Sequence, residues 1–486
     1  MAVSNLKAFF LKYSWVLIAA VLLLLAVITG FLIANDKLPI VLGLIGGLCS
    51  IFILHQCLVY PLRGYYLLII LAFFAAYPNR LLNKELPIAT LIDLLVLILF
   101  LGTLWSSKRD DNYKGNLLNY GISILLLVNV LYFIVELFNP NMGNMFGWLF
   151  VSKRYAVYIL MFVITYRLIN TPERVRYFFR FWILMALISA AYGCYQKWFG
   201  YLPIELRNLK SNPHEYALMY QGGFLRIVSF FSVGPTFGNF CGLMCAMCLI
   251  ITINTKNKKF RKKLGFVTFI LFLGMSYAGI RTTNIILPLS VALFVLMELK
   301  NKAALIVSMV TMLAVVFLLF APIDNPVINR MRSTFDSKDE SLNLRNMNRK
   351  LVQPYIYSNP MGGGIATAGL AGLRFNPGHE LAGFPPDSAL VSVVLELGWV
   401  GLALTMLFYL MIIYQGIYYY FIIRNEEYRL YILATTCALF AVIIAQFSTN
   451  SIDQIPNVFL FYGVIALFKR LYEFDEKEKA ALPAAE

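Results

Sequence analysis

The residues of this chain best suited to chemistry are arginines standing beside glycines, prolines and the ends of apolar runs, with one histidine and its acidic neighbours. Arg226 precedes the step Gly234-Pro235, within GGFLRIVSFFSVGPTFGNFCG at 222–242. Arg281 lies in SYAGIRTTNIILP, where two apolar runs turn back on each other with almost no loop. Arg345 and Arg349 are spaced i,i+4 in LNLRNMNRKLVQPYIYSNPMGGGIATAG, which puts them on one face of a predicted helix. Gly362, Gly363 and Gly364 follow, and three successive glycines let backbone approach a ligand or another segment closely. Arg374 opens RFNPGHELAGFPPDSALVSVVLELGWVGL, which also holds His379, Glu380 and Asp387. A guanidinium fork matches the oxygens of a phosphate. His379, Glu380 and Asp387 are the available proton acceptors. An imidazole of pKa about 6.5 is the better base, and a carboxylate is weaker unless buried or paired. The excess of arginine over lysine in these segments points to an anionic ligand, although loop solubility would also ask for charge.

Each residue has a plainer role to set beside the chemical one. Arg226 stands near a helix whose N-terminus begins at Pro235, a natural place for an anion, or it snorkels to lipid headgroups. Arg281 is costly at its depth unless it is paired or faces a wet cavity, and Thr282, Thr283 and Asn284 favour the cavity over an interfacial anchor. Asp387 follows two prolines and leads into an apolar run, so it also reads as a helix cap. Glu396, further inside that run, is expected to face the bundle and find a partner. The three glycines are not a nucleotide P-loop, because no GK[ST] follows. The seven cysteines form no metal-ligand or CxxC pattern and read as small buried side chains. No cofactor and no metal are expected.

The elements that must position these residues are membrane helices. Hydrophobic residues make up 60% of the 486, charged residues only 14%, and the mean hydropathy is +0.72. A soluble domain carries about 25% charge. The apolar runs are about 20 residues long, twice what a barrel strand needs. The fold class expected is an all-α polytopic membrane protein of about 14 spans, with a large outer loop containing short helices. The runs lie near 15–34, 39–58, 62–77, 86–104, 116–138, 155–170, 178–198, 234–254, 264–280, 283–299, 303–321, 388–422, 430–449 and 455–469. The chain divides into residues 1–233, 234–321, the large loop 322–387, 388–470 and the tail 471–486. Basic residues in alternate connectors, above all KNKKFRKK at 256–263, predict cytoplasmic termini and an external loop 322–387. The net charge of +16 is spread among short connectors, which argues against nucleic acid as a partner.

RIVSFFSVGPTFGNF, AGIRTTN, RNMNR ahead of NPMGGG, DSALVSVVLELGWVGL and the closing QFSTNSIDQIPNVFLFYG, in this order, resemble the O-antigen ligase-like family of bacterial envelope proteins. That family includes lipopolysaccharide O-antigen ligases and Wzy-type polysaccharide polymerases. The resemblance runs from about Gly222 to Gly463; the earlier runs match in hydrophobic character only. It implies a metal-independent glycosyl transfer at the periplasmic face of the inner membrane. The donor would be an undecaprenyl-diphosphate-linked glycan. The acceptor would be a lipid-linked repeat unit or lipid A core, with a chain-length regulator and a flippase as further partners. Arg226, Arg281, Arg345 and Arg349 would hold the diphosphate. His379, Asp387 or Glu380 would serve the acceptor, and Arg374 with the three glycines would support the loop. Family ligases usually carry a His-Asn pair where this chain reads Asp387-Ser388, so polymerisation of repeat units is the expected activity, ahead of ligation to lipid A core. A flippase without covalent chemistry is the remaining alternative.

Overall fold

A computed structural model describes residues 38–82, 87–107, 117–221, 224–320, 332, 340–386 and 388–481. The first expected span, near 15–34, and the site candidate Asp387 lie outside the described residues. Helices α1 (Leu38–Val59), α2 (Pro61–Phe74), α3 (Tyr77–Leu82), α4 (Ile88–Ser107), α5 (Gly121–Val135), α6 (Met145–Leu168) and α7 (Pro172–Phe199) come first. Two short helices, α8 (Pro203–Ser211) and α9 (Pro213–Met219), lead to an antiparallel ribbon of β1 (Tyr220–Gln221) and β2 (Phe224–Leu225). Helices α10 (Gly234–Asn254), α11 (Lys258–Tyr277), α12 (Arg281–Met297) and α13 (Lys302–Phe320) follow. The large loop contains α14 (Glu340–Ser358) and α15 (Gly369–Phe375), and α16 (Ala389–Ile422), α17 (Glu426–Ala445) and α18 (Asn457–Ala481) complete the chain.

Local chemistry explains where many of these helices start. The side chains of Asn144, Asn257 and Asn425 accept from backbone amides of the first turns of α6, α11 and α17. Such caps satisfy amides that the helix cannot. Thr171 caps α7, with Pro172 at its first position, and Pro235 opens α10 in the same way.

Among the described residues, eight helices are long and apolar enough to cross a membrane: Pro61–Leu82, Ile88–Ser106, Gly121–Phe138, Met145–Leu168, Pro172–Phe199, Gly234–Asn254, Ala389–Ile422 and Glu426–Ala445. This corrects the expectation of about fourteen spans. Three other expected spans are helical but fail on length or charge. The apolar helix Arg281–Met297 has 17 residues. Helix α11 opens on KKFRKK, and α18 runs on through EFDEKEK. A hydropathy run measures apolarity without knowing where a helix begins and ends. Here caps and turns moved those limits into charged sequence.

Helix α10 lies at the centre: 83% of its most apolar stretch is buried inside the protein, against 17% for Gly121–Phe138. Small residues allow this. A Cβ on Gly238 would come within 2.9 Å of Ala278 Cβ and Thr283, so α10 packs against the α11–α12 turn at a distance that only glycine permits. Cys241, Cys245 and Cys248 on the same helix are buried free thiols, as a purely packing role requires.

Candidate functional site

An apolar cavity of about 510 Å³ lies between α5, α6, α16 and the start of α18. Val130, Phe133, Ile159, Val393, Phe408 and Tyr462 are among its walls, and Asp453 stands in its lining. A polar cavity of about 50 Å³ adjoins it through Tyr155, Val393, Leu397 and Asp453, and adds Ser392, Glu396 and Asn450. Two carboxylates therefore line the smaller cavity, and Asp453 lines both.

Their surroundings differ. Glu396 Oε1 accepts from Ala368 N at 3.3 Å, and the backbone of Ala366 and Thr367 also turns towards this carboxylate. Ala366 holds φ 62, an uncommon conformation without glycine, which helps to fold this turn around the acid. Glu396 is thus the partnered acid expected from sequence, and its partner is the large loop itself. Among the described residues, the side chain of Asp453 accepts no hydrogen bond, while its backbone oxygen accepts from Tyr158 Oη at 2.7 Å. Burial pushes the Asp453 carboxyl up to about 6, against the opposing pull of Arg154.

The loop reaches this site through glycines. Helix α16 breaks at Gly398, with φ 65 and ψ −164. The break frees carbonyls, and the 360–364 segment takes them: Gly363 N donates to Leu395 O at 2.7 Å and Gly364 N to Glu396 O at 3.0 Å. Trp399 N returns a bond to Pro360 O at 2.9 Å. A Cβ on Gly398 would lie 2.2 Å from Pro360 O, and one on Gly362 would lie 2.6 Å from Gly398 N. On its other side the segment is held by Asn139, which donates to Met361 O at 3.0 Å, and Asn141, which donates to Gly362 O at 2.8 Å.

His379 packs beside Gly363 in this loop. Its Nδ1 accepts from Leu381 N at 3.1 Å, and its Nε2 lies 3.5 Å from Tyr355 Oη. Desolvation lowers its pKa, with Glu380 opposing. A neutral ring that accepts at Nδ1 carries its proton at Nε2, so both nitrogens are committed. Glu380 is exposed, and neither residue lines the two cavities. Arg374 stacks on Phe150 and Phe375, joining α15 to α6.

Arg345 and Arg349 do share a helix face, and both dock on the end of α17. Arg345 donates to Ser448 Oγ at 3.0 Å, and Arg349 donates to Phe447 O at 3.1 Å with its guanidinium over the Phe447 ring. The same 446–457 loop carries Asp453 and is tied to α10, since Asn239 Nδ2 donates to Ser451 Oγ at 2.6 Å and Asn457 Nδ2 to Thr236 O at 3.1 Å. Arg226 and Arg281 lie on the two turns that flank the N-terminus of α10. A Cβ on Gly234 would be 3.6 Å from Ala278 O and 3.7 Å from Ile227 O.

Two residues escaped the sequence reading. Asp453 sits in SIDQIPN, an acid between two apolar runs, and that setting was the available signal. Arg80 forms an ion pair with the fully buried Glu205 at 3.2 Å and donates to Ser229 O, in the turn that follows Arg226. Only its place in a short polar connector hinted at that. The chain matches no protein-family model and no curated protein. What stands is an all-α polytopic membrane protein with a polar, loop-covered cavity at one end of its bundle.

Proposed function

We propose that this protein extends lipid-linked oligosaccharide repeat units, transferring a glycan from undecaprenyl diphosphate to a sugar hydroxyl on the periplasmic side of a bacterial inner membrane. The observation that carries the reading is the meeting of an apolar cavity with a carboxylate that has no hydrogen-bond partner among the described residues, on a loop that two arginines also grip. The apolar cavity suits a lipid-borne substrate, and the polar annex suits a sugar hydroxyl.

In this mechanism the acceptor oxygen forms the new bond to the anomeric carbon while the bond from that carbon to the phosphate oxygen breaks. The electron pair leaves with undecaprenyl diphosphate. Arg226, Arg281, Arg345 and Arg349 are the cations available to stabilise the charge growing on it. Asp453 accepts the hydroxyl proton. His379 orders the loop above through Tyr355 and Leu381, acting as a positioning residue.

The test gives the purified protein lipid-linked repeat units alone, then units with lipid A core. A ladder of longer lipid-linked glycans without core is expected. Product formed only with core would replace polymerisation by ligation. Translocation across vesicles with no covalent change would replace both by flipping.

A further inference from the structure

At the end of the bundle where α10 finishes and α11 and α13 begin, a groove of about 470 Å³ opens between the three helices. Arg261 and Lys262 form one rim, and Ile253, Ala303, Ile306 and Val307 form the apolar wall. The helix ends are pinned: Asn301 donates to Asn254 Oδ1 at 3.0 Å and its own Oδ1 caps α13 at Ala303 N, also at 3.0 Å. Both Arg261 and Lys262 are exposed, and neither has an ion-pair partner among the described residues. Three acids at this end are engaged elsewhere. Glu426 holds Lys256 at 2.9 Å, Glu427 holds Arg176 at 2.7 Å, and Glu298 accepts from Tyr420 Oη at 2.5 Å. The N-terminal dipoles of α11 and α13 add positive potential at the same place. An apolar wall with two uncompensated cations at its rim, at the end of the membrane-crossing helix α10, calls for a ligand that is anionic at one end and hydrocarbon at the other.

We propose that this groove binds one anionic phospholipid, its phosphate between Arg261 and Lys262 and an acyl chain along Ile253, Ala303, Ile306 and Val307. The volume falls within the range of small-ligand sites, about 300–1,000 Å³. A basic side chain at an anionic lipid surface is worth about 5-fold in affinity, so the pair is worth about 25-fold.

Native mass spectrometry of the detergent-purified protein, titrated with phosphatidylglycerol or phosphatidylcholine, reads the site. The wild type should retain phosphatidylglycerol and release phosphatidylcholine. Arg261→Ala with Lys262→Ala should weaken retention by about 25-fold. Lys258→Ala with Lys259→Ala removes the same charge from the same helix outside the groove, and should change it by less than about 3-fold. Val307→Trp, which fills the groove and leaves the charge untouched, should also release the lipid. Equal losses in the two charge variants would mean diffuse attraction and overturn the site. So would retention of phosphatidylcholine as strong as that of phosphatidylglycerol, unchanged binding in Val307→Trp, or displacement of the lipid from the wild type by an equal concentration of inorganic phosphate.

Discussion

Gly398→Ala should release the large loop from the broken helix. Gly398 holds φ 65 and ψ −164, a region essentially closed to residues with a Cβ, at a cost of about 1–3 kcal/mol. The added methyl would also meet Pro360 O at 2.2 Å and Met361 C at 2.5 Å, so the 360–364 segment has to move. Moving it breaks three hydrogen bonds: Gly363 N to Leu395 O, Gly364 N to Glu396 O, and Trp399 N to Pro360 O. At about 1 kcal/mol each, with the strain, docking loses about 4–6 kcal/mol. Four kcal/mol is roughly a thousandfold in the docking equilibrium. Hydrogen exchange followed by mass spectrometry should show the amides of Gly363 and Gly364 exchanging faster by up to that factor, until the whole loop is open. Gly378→Ala is the control, because a Cβ there meets nothing within 4 Å. If Gly398→Ala leaves the Gly363 and Gly364 amides within about threefold of wild-type protection, the interlock does not hold the loop and the reasoning fails.

Asp453→Asn should abolish glycan transfer while the protein still inserts and folds. Its carboxyl, pushed up to about 6 by burial, must be ionised to take a proton, so wild-type turnover should rise as pH climbs through about 6. Arg154→Ala should move that limb to higher pH, and a wild-type rate flat from pH 5 to 8 would refute the assignment. Stability runs the other way: a folded pKa above the unfolded value of about 3.9 gives stability that is full below that value and lost as pH rises towards 6. Arg281→Lys keeps the charge and loses the fork, and turnover should fall at least about tenfold with expression retained; full activity in both Arg226→Ala and Arg281→Ala would remove the diphosphate assignment. Arg80→Ala strands the buried Glu205 carboxylate and should cost about 3–5 kcal/mol, read as a lowered melting temperature that Glu205→Gln in the same chain partly restores.

Much of the local architecture follows from short stretches of sequence. Apolar runs of span length established a helical membrane protein, because backbone in hydrocarbon must satisfy its own hydrogen bonds. Asn257, Asn425, Thr171-Pro172 and Gly234-Pro235 mark helix starts, since capping depends on residues within one turn. The i,i+4 spacing of Arg345 and Arg349 put them on one face, and both do reach the end of α17. Helix within the large loop was legible for the same reason, as α14 and α15.

The span count, the loop's anchorage and the acid that faces the cavity were decided by tertiary structure. Hydropathy averages over residues that neighbour each other along the chain, so it could not tell a spanning helix from one that ends early at Met297 or runs on past Phe474 into charge. The break at Gly398 is tolerable only because Gly363 and Gly364, distant in sequence, bring amides to the carbonyls it frees. Asp453 and Glu396 are both single acids beside apolar sequence. The 366–368 turn folds onto Glu396 and leaves Asp453 facing the cavity, and that difference comes from which distant backbone amides arrive, a property of three-dimensional packing that neither acid's own neighbours encode.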